Sequence, residues 1–166
     1  KAIIWYEPKA LNRYTDFIVW LPQHRLLVIE VKDWSKECFE TLNPETFTGR
    51  FYHKNDNKVV SVKNPESQVR KCMLNILNAF KKATIFLQKE GAYQGSLKFP
   101  ISSCVIYTEL KQEDAYTMGL SLPSISTAHK TIFKDDLRLV AENKTFKNKL
   151  IDAFKDVNFP FQALTY

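Results

Sequence analysis

Cysteine and glycine are both scarce. The three cysteines, Cys38, Cys72 and Cys104, lie far apart in 166 residues and form no CxxC pair. That odd number at that spacing argues against a disulfide framework and a zinc site, and for a reducing, cytoplasmic setting. The four glycines never form GxxxxGK or GxGxxG, so the chain has no phosphate-cradling loop. No GxSxG elbow is present, which leaves serine hydrolase chemistry without support. His24, His53 and His129 lack ligand spacing and read as surface histidines. No apolar run approaches the roughly 18 residues of a membrane span. A signal peptide, an internal repeat and a low-complexity tract are also missing. The first residue is not Met, and the chain reads as a fragment.

What is present is a globular composition. Apolar residues make up 45% and charged residues 25%, with twelve Phe and seven Tyr, enough for one domain with a real core. The net charge of +6 favours a polyanionic partner, nucleic acid foremost.

The stretch that organises the chain is Tyr14 to Trp34. Two apolar runs, Phe17–Leu21 and Leu26–Ile29, flank the turn Pro22-Gln23-His24-Arg25. Successive apolar positions predict strands covered on both faces. Into this apolar hairpin the sequence inserts Asp16, Glu30 and Lys32. Buried charges need partners or an ion. Residues i and i+2 share a strand face, so Glu30 and Lys32 point one way and Val31 the other. A hairpin centred on Gln23 sets Asp16 opposite Glu30, with Cβ atoms about 4.5–5.5 Å apart. Two carboxylates that close repel unless they share a proton or a cation. A divalent, oxygen-seeking ion resolves the conflict, and Lys32 is near enough to orient a nucleophile or offset charge. The bland alternative is a Glu30–Lys32 salt bridge with Asp16 capping a turn.

Asp16 followed by Glu30-Val31-Lys32 resembles the PD-(D/E)xK nuclease signature, with Thr15 in place of Pro. The longer string DFIVWLPQHRLLVIEVKDW, followed by KNPESQ at Lys63–Gln68, is similar to the nuclease-related domain, NERD, a branch of that superfamily. The resemblance runs from about Ala2 to Leu137. It implies an α/β fold with a restriction-endonuclease-like core, in which a catalytic β-hairpin belongs to a central mixed β-sheet flanked by helices. It also implies a metal-dependent deoxyribonuclease using Mg²⁺ or Mn²⁺ held by Asp16, Glu30 and the Val31 carbonyl, with Asp16, Glu30, Lys32 and Gln68 as catalytic residues. DNA is the implied partner, RNA stays open, and a fused or associated helicase module is a family trait. Two elements of relatives are not matched here. The residue four beyond Gln68 is Cys72 rather than Tyr, and the acidic residue that relatives carry on a helix before the first strand is expected to be absent or to lie in a removed segment.

Along the rest of the chain, Ala2–Tyr6 reads as a core strand and Lys9–Arg13 as a loop. Trp34–Pro44 reads as irregular. Thr46–Tyr52 and Lys58–Val62 read as a second hairpin, whose Arg50, Lys54, Lys58 and Lys63 either track a phosphate backbone or form a solvated edge. Asn64-Pro65-Glu66 is a helix start, with Asn as N-cap and Pro at the first position. The helix is expected to run to about Lys89, burying Val69, Cys72, Met73, Ile76, Leu77, Phe80, Thr84 and Leu87. Arg70 and Lys71 fall on its polar side, facing either DNA or solvent. Pro100–Tyr107 predicts a buried strand, Lys111–Met118 a short helix closed by Gly119, and Thr131–Phe133 a last strand. Asp135-Asp136 is expected to cap a helix beginning near Leu137, with a break near Asn143. The domain is placed at residues 1–140, and residues 141–166 are expected to form a C-terminal helix and tail leading toward a further domain.

Overall fold

A computed structural model describes residues 2–10, 13–21, 25–51, 58–138 and 144–157. Its centre is a five-stranded mixed sheet in the order β1-β4-β5-β9-β10. Strand β1 (Ile3–Tyr6) runs antiparallel to β4 (Phe17–Leu21), and β4 antiparallel to β5 (Arg25–Lys32). Strand β9 (Ile101–Tyr107) lies parallel to β5, and the short β10 (Thr131–Ile132) parallel to β9. The β4–β5 register pairs Phe17 with Ile29 and Leu21 with Arg25, as a hairpin centred on Gln23 requires. Pro22, Gln23 and His24 themselves lie outside the described residues.

β5 owes its central position to its apolar run. Leu26 and Val28 face one core, with Val105 and Tyr107 of β9. Leu27 and Ile29 face the other, with Cys104 and Ile106. Helix α1 (Pro65–Lys81) covers the first face through Val69, Cys72 and Ile76. Helix α4 (Lys144–Asp152) and the turn after it cover the second through Leu150, Ala153 and Phe154. Two-sided burial of this kind suits a parallel pair.

Asn64 is the N-cap of α1: its side-chain oxygen accepts from the Glu66 N–H at 2.9 Å, and its amide donates to the carbonyls of Pro44 at 3.1 Å and Ile125 at 2.8 Å. The helix ends at Lys81, short of the expected Lys89. The β-branched Thr84 and Ile85 disfavour continuation, and the chain turns through a 3₁₀ segment at Thr84–Phe86 that sets Phe86 4.8 Å from Phe80. Thr84 is exposed rather than part of the buried stripe.

Four further expectations are corrected. β1 is a sheet edge with Ile3, Ile4, Trp5 and Tyr6 all exposed, because it lies beyond both core clusters, neither of which includes its side chains. Lys9–Arg13 is not a plain loop: β2 (Lys9–Ala10) and β3 (Arg13–Tyr14) form a small antiparallel ladder. Trp34–Pro44 is not irregular: after a 3₁₀ turn at Lys36–Cys38, β6 (Phe39–Leu42) joins β7 (Thr46–Gly49) and β8 (Val60–Lys63) in a three-stranded antiparallel sheet. The expected second hairpin is thus the β7–β8 pair of this sheet, while residues 52–57 fall outside the described set. Helix α3 (Lys134–Arg138) begins before Leu137 and holds Asp135 and Asp136 in its first turn. Asp136 accepts from the Phe133 N–H at 3.0 Å, whereas Asp135 reaches across to the Gln112 N–H at 2.9 Å. That second bond caps α2 (Gln112–Thr117), the short helix that Gly119 follows at φ 81°. The break expected near Asn143 lies outside the described residues.

Candidate active site on the central hairpin

Asp16 immediately precedes β4, one step beyond the last β4–β5 pair. Its Oδ2 accepts the Val31 N–H at 2.6 Å, which extends the hairpin register through a side chain. The same segment is pinned twice more. The Glu7 N–H donates to the Asp16 carbonyl at 2.8 Å, and the buried Thr15 hydroxyl donates to the Ile29 carbonyl at 2.9 Å. Thr15, where the superfamily signature has Pro, therefore ties Asp16 to β5 by a hydrogen bond.

Glu30 sits on the α1 face of β5, only 4% exposed. Its Oε1 accepts from the Lys32 ammonium at 2.7 Å and from the Gln68 amide at 2.6 Å. Gln68 can reach it because the Asn64 cap starts α1 at Pro65, so that the first turn lies over the end of β5. Burial pushes the Glu30 carboxyl above the usual carboxylate range. Lys32 pulls it back, and the nearby charge of Asp16 pushes it up again, with a net upward shift. Lys32 is also held from another side: its Nζ lies 5.5 Å from the centre of the Trp34 ring.

The structure thus brings Asp16, Glu30, Val31, Lys32 and Gln68 together. Among the described residues the hydrogen bonds to the two carboxylates fall on Asp16 Oδ2 and Glu30 Oε1. The donor set fits a hard divalent cation. It offers two carboxylates, one of them raised by burial and by its neighbour's charge. It also offers the Val31 carbonyl, which faces the same strand edge as the Val31 N–H bonded to Asp16. An ion such as Mg²⁺ that keeps several waters needs no more protein oxygens than this. Among the described residues no group of three or more His, Cys, Asp or Glu side chains gathers anywhere.

The basic residues are dispersed on the surface. Arg50 is exposed and pairs with Glu40 at 3.2 Å. Lys58 lies two residues before β8 and Lys63 ends it, and Arg70 and Lys71 lie on the outer side of α1. Arg70 lines a polar cavity of about 220 Å³ at the start of α1, with Asn64, Glu66, Ser67 and Thr127. Lys54 lies outside the described residues. An apolar cavity of about 510 Å³ opens under the far half of α1, between Trp5, Ile18, Ile76, Phe80 and Phe86, and holds none of the carboxylates.

Sequence reasoning missed Thr15 and Trp34. For Trp34 a signal existed: the two-residue period that links Glu30 to Lys32 continues to residue 34. Thr15 carried no signal beyond its place before Asp16.

The profile of the nuclease-related domain family matches residues 3–108, well over half of the chain, from β1 through β9. The chain belongs to the NERD family. Every residue of the carboxylate cluster lies within the matched span of this NERD domain, and the α/β core with its mixed sheet is nuclease-like. No curated protein and no solved structure matches the chain significantly. No helix among the described residues is long and apolar enough to cross a membrane.

Proposed function

We propose that this NERD domain is a metal-dependent deoxyribonuclease, with Asp16, Glu30, Lys32 and Gln68 as its catalytic residues. The observation that carries the reading is the buried carboxylate Glu30, held by both Lys32 and Gln68 on one oxygen and facing Asp16 across the hairpin. Asp16, Glu30 and the Val31 carbonyl would hold Mg²⁺ or Mn²⁺. Such an ion supplies Lewis acidity toward water and the phosphate. Gln68 fixes the Glu30 carboxylate through its Nε2–H on Oε1. Lys32 presents its Nζ–H donors and positive charge to a phosphate oxygen, where charge grows in the transition state. Asp16 is anchored on the Val31 N–H through Oδ2. Arg50, Lys54, Lys58, Lys63, Arg70 and Lys71 would hold the backbone of the nucleic acid by charge. On family resemblance, the domain would serve within a helicase-linked DNA-processing protein in the cytoplasm.

A second reading is a DNA-binding module that does not cut. The gathering of only two carboxylates among the described residues favours it. The deciding experiment incubates the protein with supercoiled plasmid and single-stranded DNA in Mg²⁺, Mn²⁺ or EDTA, beside Glu30→Gln and Lys32→Ala. Metal-dependent cutting abolished in Glu30→Gln and reduced to a low residual rate in Lys32→Ala is the expected result. Binding of DNA and metal without cutting by the wild type would select the second reading, and cutting that survives both substitutions would move the site elsewhere.

A further inference from the structure

Lys32 is the last residue of β5, and its side chain is a flexible four-carbon stem ending in a compact charge. A charge that must meet a phosphate at a fixed place needs more than one anchor. Glu30 provides one, at 2.7 Å. That anchor is already shared with Gln68, and a cation at the carboxylate would compete for it. Among the described residues Trp34 provides a second, its ring centre 5.5 Å from Nζ. An indole face attracts a cation through its quadrupole and cannot ligate a hard metal ion, so a metal ion at the carboxylates would not compete for this contact.

Trp34 is itself held firmly. It is 8% exposed, with Phe51 at 4.3 Å, Phe39 edge-on at 5.8 Å and Tyr107 at 6.4 Å between ring centres. Phe39 belongs to β6, and Phe51 follows β7. Tyr107 stands opposite Lys32 in the β5–β9 register and stacks on Phe133 at 6.1 Å. The indole is therefore a wall shared by the three-stranded sheet and the central sheet.

We propose that Trp34 is a positioning residue of the site, its ring face holding the Lys32 ammonium beside Glu30, so that the three-stranded sheet sets where the positive charge stands. This rests on the nuclease reading for its catalytic meaning, while the contact itself is tested independently of it. A tryptophan that only fills the core would contribute to stability without regard to what residue 32 is. A tryptophan that holds the ammonium contributes less once the ammonium is gone.

The test is a double-mutant cycle on the wild type, Lys32→Met, Trp34→Leu and the double variant, read both by urea unfolding and by steady-state cleavage of DNA in Mn²⁺. Trp34→Phe keeps an aromatic face and serves as the conservative rescue. Trp34→Met, a long apolar side chain without a ring face, replaces Trp34→Leu in the cycle if that variant does not fold. The expected result is non-additivity in both readouts. Trp34→Leu lowers kcat about 10-fold to 100-fold with KM for DNA held, Trp34→Phe restores most of it, and neither lowers the residual rate of Lys32→Met further. Additive effects on stability and rate would overturn the proposal. If the wild type does not cut at all, the nuclease reading fails, and the stability cycle alone decides whether Trp34 holds Lys32.

Discussion

Glu30 is pulled in opposite directions by its surroundings, and the balance has a measurable consequence. Burial raises its pKa, Lys32 lowers it, and Asp16 raises it again, leaving it above the ordinary value. A carboxyl with a raised folded pKa binds more protons folded than unfolded, so stability falls as pH rises. The fall begins near the unfolded carboxylate pKa and is complete above the raised folded pKa. In metal-free protein, the wild type should therefore lose stability relative to Glu30→Gln across that window, as the urea midpoints of the two would show. Adding Mn²⁺ should reverse it in the wild type, since an ion bound only by the folded state stabilises it. At this scale Asp16, Glu30 and Lys32 were legible because strand geometry has a period of two, and charges in an apolar hairpin have few explanations. Gln68 was legible only through the family's NPxxQ pattern, since the sequence does not show that a helix begun at Pro65 overlies β5. Trp34 was missed because an aromatic residue at a strand end reads first as core, which it also is.

Among the elements, the β4–β5 hairpin and the start of α1 followed from local signals: a run, a turn, a cap. The three-stranded sheet was harder to read. β6 has the sequence FETL beside acidic neighbours, and its strand character comes from pairing with β7 across a register shift between Phe39 and Thr41. That pairing depends on Gly49. A Cβ there would stand 1.9 Å from the Cys38 carbonyl oxygen, the same oxygen that accepts the Arg50 N–H at 2.7 Å. Gly49→Ala should therefore push β6 away from β7 and cost about 1–3 kcal/mol, measured by chemical denaturation. The far end of α1 was misjudged for the complementary reason. Its apolar period continues through Leu87, but Phe86 is used to pack on Phe80 and Phe99, which requires the chain to turn.

For the molecule as a whole, the net charge is +6, and among the described residues exposed basic side chains stand on separate elements, Arg50 after β7, Lys63 at the end of β8, Arg70 and Lys71 on α1. Affinity for duplex DNA should fall steeply with salt. Arg70→Ala and Lys63→Ala should each flatten the slope of log K against log salt by about 0.9 if that residue meets a phosphate, as a salt titration of binding would show. The sheet order has a different consequence, which concerns how the chain reaches this state. β5 pairs on one side with β4, made just before it, and on the other with β9, where Leu26 waits for Ile101. Contacts of such long sequence separation form late. Until then a nascent or refolding chain displays the edge Leu26-Leu27-Val28-Ile29-Glu30-Val31, an apolar segment suited to pairing with the wrong neighbour. The single charge in that segment is Glu30. Before β9 and α1 arrive it is a solvated anion that interrupts the run and discourages self-association. Afterwards it is the buried carboxylate between Lys32 and Gln68. The side chain that costs the folded core stability thus also serves as gatekeeper of the path that leads there.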